Sequence, residues 1–234
     1  MAKKRKQGMC IYCCERGPIT RDHVPPQSIF PDPKPSERIA VPACRACNDG
    51  FKLDDEYFRT FLVSNANAYG DPTARGLWNR KIIGSRNAEP IRRMLRKASW
   101  PIEIKTHSGL WVGTSRAVSF DAKRVARIVA RIALGLWWNH YRTRPGAEIA
   151  MRAGMVKGFN DLEEILARCR ASAIGGTVFR YAHGVPVEDQ GQSCWFMEFY
   201  STMRFFVFAT RVPFDSDWMI GVPRDSLMGR KADG

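Results

Sequence analysis

Two Cys-x-x-Cys pairs, Cys10-Ile11-Tyr12-Cys13 and Cys44-Arg45-Ala46-Cys47, constrain what this chain can fold into more than any other feature. A two-residue spacer lets both sulfurs of a pair turn toward one ion while the backbone amides of the turn face them, and four soft thiolates suit a tetrahedral structural zinc. Cys14 offers a three-residue spacer that zinc also permits, so Cys13 or Cys14 completes the first pair, with Cys13 preferred. A disulfide reading needs an oxidising compartment, but the leading Met1-Ala2-Lys3-Lys4-Arg5-Lys6-Gln7-Gly8 is basic and no apolar signal segment follows it. A redox reading needs one pair after a strand in a βαβ unit, whereas two pairs here frame a short, polar, Pro-rich insert. Structural zinc on Cys10, Cys13, Cys44 and Cys47 is therefore the expectation.

Between the pairs lies Asp22-His23-Val24-Pro25-Pro26, and Asn48 follows the last cysteine. Hydrolysis of a phosphodiester requires a base to activate water and a hard cation to neutralise the charge that develops on the phosphate and the leaving oxygen. His23, with an ordinary pKa of about 6.5, can be that base near neutral pH. Asp22 and Asn48 supply oxygen ligands of the type a magnesium-like ion prefers, and the cysteine knot would bring them together by joining the two ends of the loop. A histidine after an aspartate in a loop is, taken alone, more often structural. The Asn48 that follows Cys47 tips the reading toward catalysis.

In order and spacing these three motifs resemble the HNH endonucleases, in the zinc-stapled ββα-metal subgroup. The resemblance implies that His23 is the general base, that Asp22 and Asn48 are ligands of a catalytic Mg2+ or Mn2+, and that the four cysteines hold structural Zn2+. It is confined to the N-terminal part of the chain, and it has two departures. Where many members carry an Asn-Leu before the second cysteine pair, this chain has Arg38-Ile39-Ala40-Val41-Pro42; where many have a Lys three residues after the final Asn, it has Phe51, with Lys52 next.

With 234 residues, 44% of them hydrophobic, the chain can bury a good core and form one domain or two small ones. No apolar run approaches the ~18 residues of a membrane-spanning helix, so no membrane partner is expected and a cytoplasmic, bacterial or phage-encoded protein is. The formal net charge of +14 favours a polyanionic partner. Beside a phosphodiesterase-like site, Lys and Arg would hold phosphates by a salt-sensitive, sequence-independent attraction, which makes nucleic acid the expected partner and, by the resemblance, DNA. The competing reading is a zinc-stapled module that binds nucleic acid without cutting it; this leaves Asp22, His23 and Asn48 without a role.

The expected fold is α+β, with a basic disordered arm over residues 1–9, a ββα nuclease module over 10–66 and a mixed α+β domain of unknown role over 74–222. Pro25, Pro26, Pro31, Pro33 and Pro35 predict an irregular loop, and a helix is expected to run on from Cys44 through Leu62. Asp54, Asp55 and Glu56 read as a solvated face of that helix, with Asp55 or Glu56 as candidates to lend a further carboxylate toward the metal. Residues 74–97 suggest basic amphipathic helices broken around Gly84 and Pro90, and residues 102–106 and 110–115 a hairpin about Ser108-Gly109. The strongest helix is 121–141, with Val125, Ile128, Val129, Ile132, Ala133, Leu136 and Trp137 as its apolar stripe. Its arginines Arg124, Arg127 and Arg131 form a polar face open to solvent or to a DNA backbone. A helix is expected over 161–169, strands over 176–182, 194–200 and 203–210, and a frayed tail from Gly221.

Overall fold

The computed structural model describes residues 6–156, 169–184, 192–211 and 219–229. It is a mixed α and β chain whose strand pairs are all antiparallel among the described residues. The helix expected over 161–169 lies almost wholly outside the described residues.

A small sheet comes first, in the order β1 (Gln7–Met9), β2 (Arg16–Val24), β3 (Ile39–Cys44). The arm expected to be disordered over 1–9 thus becomes a strand at Gln7, because β2 offers it an edge: Gly8 pairs with Gly17. After β3 the chain turns into α1 (Arg45–Gly50) and, past a break at Phe51, α2 (Lys52–Val63). The single helix expected here is therefore two, yet the order strand, strand, helix stands.

Next come α3 (Pro72–Leu77), a π-helical turn closed by Gly84, and α4 (Glu89–Lys97). Pro90 does not break a helix. It occupies the first turn of α4, where a missing N–H costs no hydrogen bond. The hairpin β4 (Ser99–Lys105) and β5 (Trp111–Val118) turns at Gly109, whose φ of +86° suits glycine, and it leans over Phe61, Phe120 and Phe205.

α5 (Ala122–Tyr141) matches the expected helix to within one residue. The Asp121 carboxylate caps it by accepting from the Arg124 amide at 3.1 Å. It is not one-sided, however: all of residues 125–137 except Arg127 are buried. One side packs on β2, β3 and α2, the other on β6 (Ala150–Met155), β10 (Met203–Thr210) and β11 (Ile220–Val222). The large sheet has the order β11, β6, β10, β9 (Ser193–Phe199), β8 (Phe179–Gly184), β7 (Arg170–Ile174). β8 starts three residues later than expected because Gly175 and Gly176, both at φ +66°, make the turn before it. The tail is not frayed at Gly221: β11 continues the sheet, Leu227 is buried, and Gly229 lies against the backbone of Cys47. One buried core runs from Cys10 to Leu227, across the boundary expected between residues 66 and 74.

Candidate metal centre

The four cysteines meet because two turns are clamped together. Cys44 ends β3 and caps α1, its sulfur accepting from the Cys47 amide at 3.4 Å. The Ile11 amide donates to the Pro42 carbonyl at 3.1 Å, which holds the first cysteine turn against β3. All four sulfurs of Cys10, Cys13, Cys44 and Cys47 consequently lie within 4.8 Å of one another, with Cys13 and Cys44 3.8 Å apart. A metal ~2.3 Å from four tetrahedral sulfurs requires sulfur separations of about 3.8 Å, so this set can hold one metal ion. Cys14, exposed and at φ 63°, stands outside it, and Cys13 completes the first pair. The hydrogen bond from Cys47 lowers the Cys10 thiol to about 4, with the backbone at Cys13, Cys44 and Tyr12 helping, and the same contact pushes Cys47 up.

Asp22 and His23 stand next to each other on β2 and leave it on opposite faces. Thr20, Asp22 and Val24 turn toward the helices, where Val24 meets Gly135 of α5. Asp22 is 5% exposed and accepts a hydrogen bond of 2.6 Å from the Tyr12 hydroxyl. Burial, with the Asp22 charge beside it, pushes the Tyr12 hydroxyl well above its usual range, so it remains a donor. Asn48 of α1 donates its side-chain amide to Thr20 Oγ1 at 2.9 Å and to the Arg21 carbonyl at 3.3 Å. The Asn48 side chain is thereby fastened to the strand that carries Asp22 and His23. His23 is half-buried; burial lowers its pKa below the ordinary value, Arg38 and Arg21 act in the same direction, and Ile39 and Asp22 oppose them. β1 covers β2 only as far as Ile19, whose amide donates to the Lys6 carbonyl at 3.0 Å. Beyond it, the edge that bears Asp22 and His23 meets no strand among the described residues.

No family model, no curated protein and no solved structure matches this chain. Its chemistry is to be read from its own side chains.

Two expectations for these side chains are corrected. Of the acidic run after α1, Glu56 is exposed as expected, but Asp54 and Asp55 are not part of a solvated face, because α5 lies over them. Arg124 donates to Asp54 at 2.8 Å, Arg127 reaches the other Asp54 oxygen at 3.2 Å, and Arg131 pairs with Asp55. These three arginines are accordingly spent inside the protein and form no open basic face. Arg131 also stacks on Phe51, its guanidinium carbon 4.1 Å from the ring centre. Burial works against its charge, but Asp55 and Asp22 outweigh burial and hold it cationic. Burial pushes the Asp55 carboxyl up to about 6, with Arg131 offsetting part of the effect. Tyr12, Asp22, Arg131 and Asp55 thus form one buried polar cluster. Tyr12 gave no signal as a residue inside a cysteine turn; Arg131 could have been suspected, since Ala126, Ala130 and Leu134 make α5 apolar on more than one side.

Proposed function

We propose that this chain is a metal-dependent phosphodiesterase of the HNH endonuclease type, acting on DNA, with zinc on Cys10, Cys13, Cys44 and Cys47 as its structural staple. The observation that carries the reading is the tether from Asn48 to Thr20 and Arg21, which joins the residue after the second cysteine pair to the strand bearing Asp22 and His23. The donor set fits a hard divalent ion. With its nitrogen engaged on β2, Asn48 keeps its amide oxygen as a ligand, and Asp22 keeps the carboxylate oxygen that Tyr12 does not engage. Bound there, Mg2+ or Mn2+ supplies the charge that stabilises the phosphate and the leaving oxygen. His23, kept neutral by burial, takes a proton from the attacking water. The Tyr12 hydrogen bond holds the Asp22 carboxylate in place while this occurs.

The test is nicking of supercoiled plasmid by the purified protein in Mg2+ or Mn2+, with and without EDTA, beside the His23→Ala variant. Metal-dependent nicking that vanishes in the variant supports the reading; undiminished nicking by the variant defeats the assignment of His23. A second reading, a zinc-stapled nucleic-acid-binding module without hydrolytic activity, is favoured by one observation: Asp22 is buried and already engaged by Tyr12, with the Arg131 charge nearby. Tight, salt-sensitive binding of DNA and of a matched RNA with no turnover of either selects it.

A further inference from the structure

Each sulfur of the metal centre accepts from a backbone amide. The amides of Tyr12, Cys13 and Cys44 face Cys10, that of Glu15 faces Cys13, and that of Cys47 donates to Cys44 at 3.4 Å. All of these lie in the two cysteine turns or at their edges. The donor to Cys47 does not: it is the amide of Gly229, the last of the described residues. A Cβ on Gly229 would stand 2.4 Å from both the Cα and the carbonyl oxygen of Cys47, so only glycine lets the tail come this close. The tail arrives through a short turn in which the Leu227 amide donates to the Arg224 carbonyl at 3.2 Å and the Leu227 side chain is buried. Arg224 in turn donates to the carbonyls of Gly146 at 2.7 Å and Pro145 at 3.0 Å, which fastens the tail to the loop after α5.

That loop carries Arg144. Its guanidinium is half-buried and meets Cys14 Sγ, and the groups that face it are the like charge of Arg224 and the sulfurs of Cys10 and Cys13. On α5, by contrast, Arg124, Arg127 and Arg131 are each met by a carboxylate of α2. Among the described residues Arg144 forms no ion pair, and the nearby Glu148 pairs with Arg211 at 3.7 Å instead. Two guanidiniums held near each other repel unless an anion offsets them. Four thiolates around one divalent zinc carry more negative charge than the metal cancels, and the groups around such ligands hold them in place and tune their grip.

We infer that Arg144 and Gly229 complete the metal centre from the far half of the chain, the guanidinium offsetting the thiolate charge and the amide donating to Cys47, so that the C-terminal segment sets how firmly the N-terminal cysteines hold zinc. The inference rests on the zinc reading of the four cysteines and is independent of hydrolysis. Neither residue is a ligand; each acts through the sulfurs.

The test loads the full-length protein and its Arg144→Gln, Arg144→Lys and Gly229→Ala variants with Zn2+ and follows transfer of the metal to an excess of a colorimetric chelator. Co2+ in place of zinc reports the sulfur-to-metal charge-transfer absorption. Arg144→Gln and Gly229→Ala should each release zinc about tenfold faster than wild type, the lower end of what losing a partner of a metal ligand costs. Arg144→Lys should recover most of that loss, because it keeps the charge. Gly229→Ala should move the Co2+ absorption to longer wavelength, since one sulfur loses its amide donor. The core ends at Leu227, so this variant folds irrespective of the fate of the half-buried Arg144. Urea unfolding of the metal-free proteins separates the proposed role from a merely structural one: their midpoints should differ less from one another than those of the loaded proteins. Unchanged release and spectra, or metal-free midpoints that fall as far as the loaded ones, overturn the inference and leave the zinc reading standing. A wild-type chain that takes up neither metal overturns both.

Discussion

Gly135 lies in the middle of α5, where glycine is worse than alanine by about 1 kcal/mol, and the structure supplies the reason. A Cβ at that position would come within 2.5 Å of Val24 Cγ2, so the helix can cross β2 only without one. Gly135→Ala should therefore destabilise by about 1–3 kcal/mol despite its better helix propensity, and Val24→Ala should recover part of that loss in the double variant; urea unfolding measures both. His183 behaves differently. It is 4% exposed, stacks on Trp195 and faces His140, whose Nε2 lies 2.9 Å from the Tyr181 hydroxyl. Burial, aided by the charges of His140 and Arg170, lowers its pKa from 6.5 to about 4. An unfolded chain then binds the proton first as pH falls, so stability is full above 6.5 and declines toward pH 4, by up to about 3 kcal/mol from this residue. Asp55, raised by burial, contributes in the opposite direction, so the quantity to measure is the difference between the pH profiles of wild type and His183→Phe. Between pH 6.5 and 4 the variant should lose less stability than wild type, or gain some; parallel profiles would sink the assignment.

At the scale of elements, α2 and α5 are joined by charge as well as by apolar packing. Asp54 holds Arg124 and Arg127, and Asp55 holds the buried Arg131 over Phe51. Removing one member of a buried pair leaves the other uncompensated, which typically costs 3–5 kcal/mol, whereas replacing both by apolar groups of similar volume is often near neutral. Arg131→Ala should accordingly fall in that range, of order 3–5 kcal/mol, and Arg131→Met with Asp55→Leu should recover most of it, as judged from chemical denaturation. The α5 boundaries and the strands β9 and β10 were legible because their signals are local: the Asp121 cap, the run of apolar residues and the alternation along Met203–Thr210. The fate of the arginine face was not. Which side of a helix meets another element depends on chain segments some seventy residues away, as in the pair between Asp54 and Arg124.

Across the whole molecule, α5 is the shared floor of both halves. Phe58 of α2 packs edge-on to Phe199 of β9, with ring centres 5.3 Å apart, so the N-terminal sheet and helices do not close a core by themselves. A fragment of residues 6–66 should show no cooperative thermal transition even with zinc supplied, read by circular dichroism; a sharp transition would refute the shared core. In the intact chain, metal analysis should find one zinc per protein, and its removal by a strong chelator should lower the melting temperature, because metal binding to a preformed site is coupled to folding. What the sequence by itself determined were the features fixed by spacing and period: the cysteine pairs that converge on one site, the strand-strand-helix order around Asp22 and Asn48, and the long helix near the middle of the chain. What only the tertiary structure decided was what each side chain faces. It put Asp22 inward against Tyr12 and Arg131, set His23 on the opposite face of β2, and returned the tail to Cys47. The physical reason is that spacing acts within one element, whereas burial and charge pairing depend on which distant elements the core brings together.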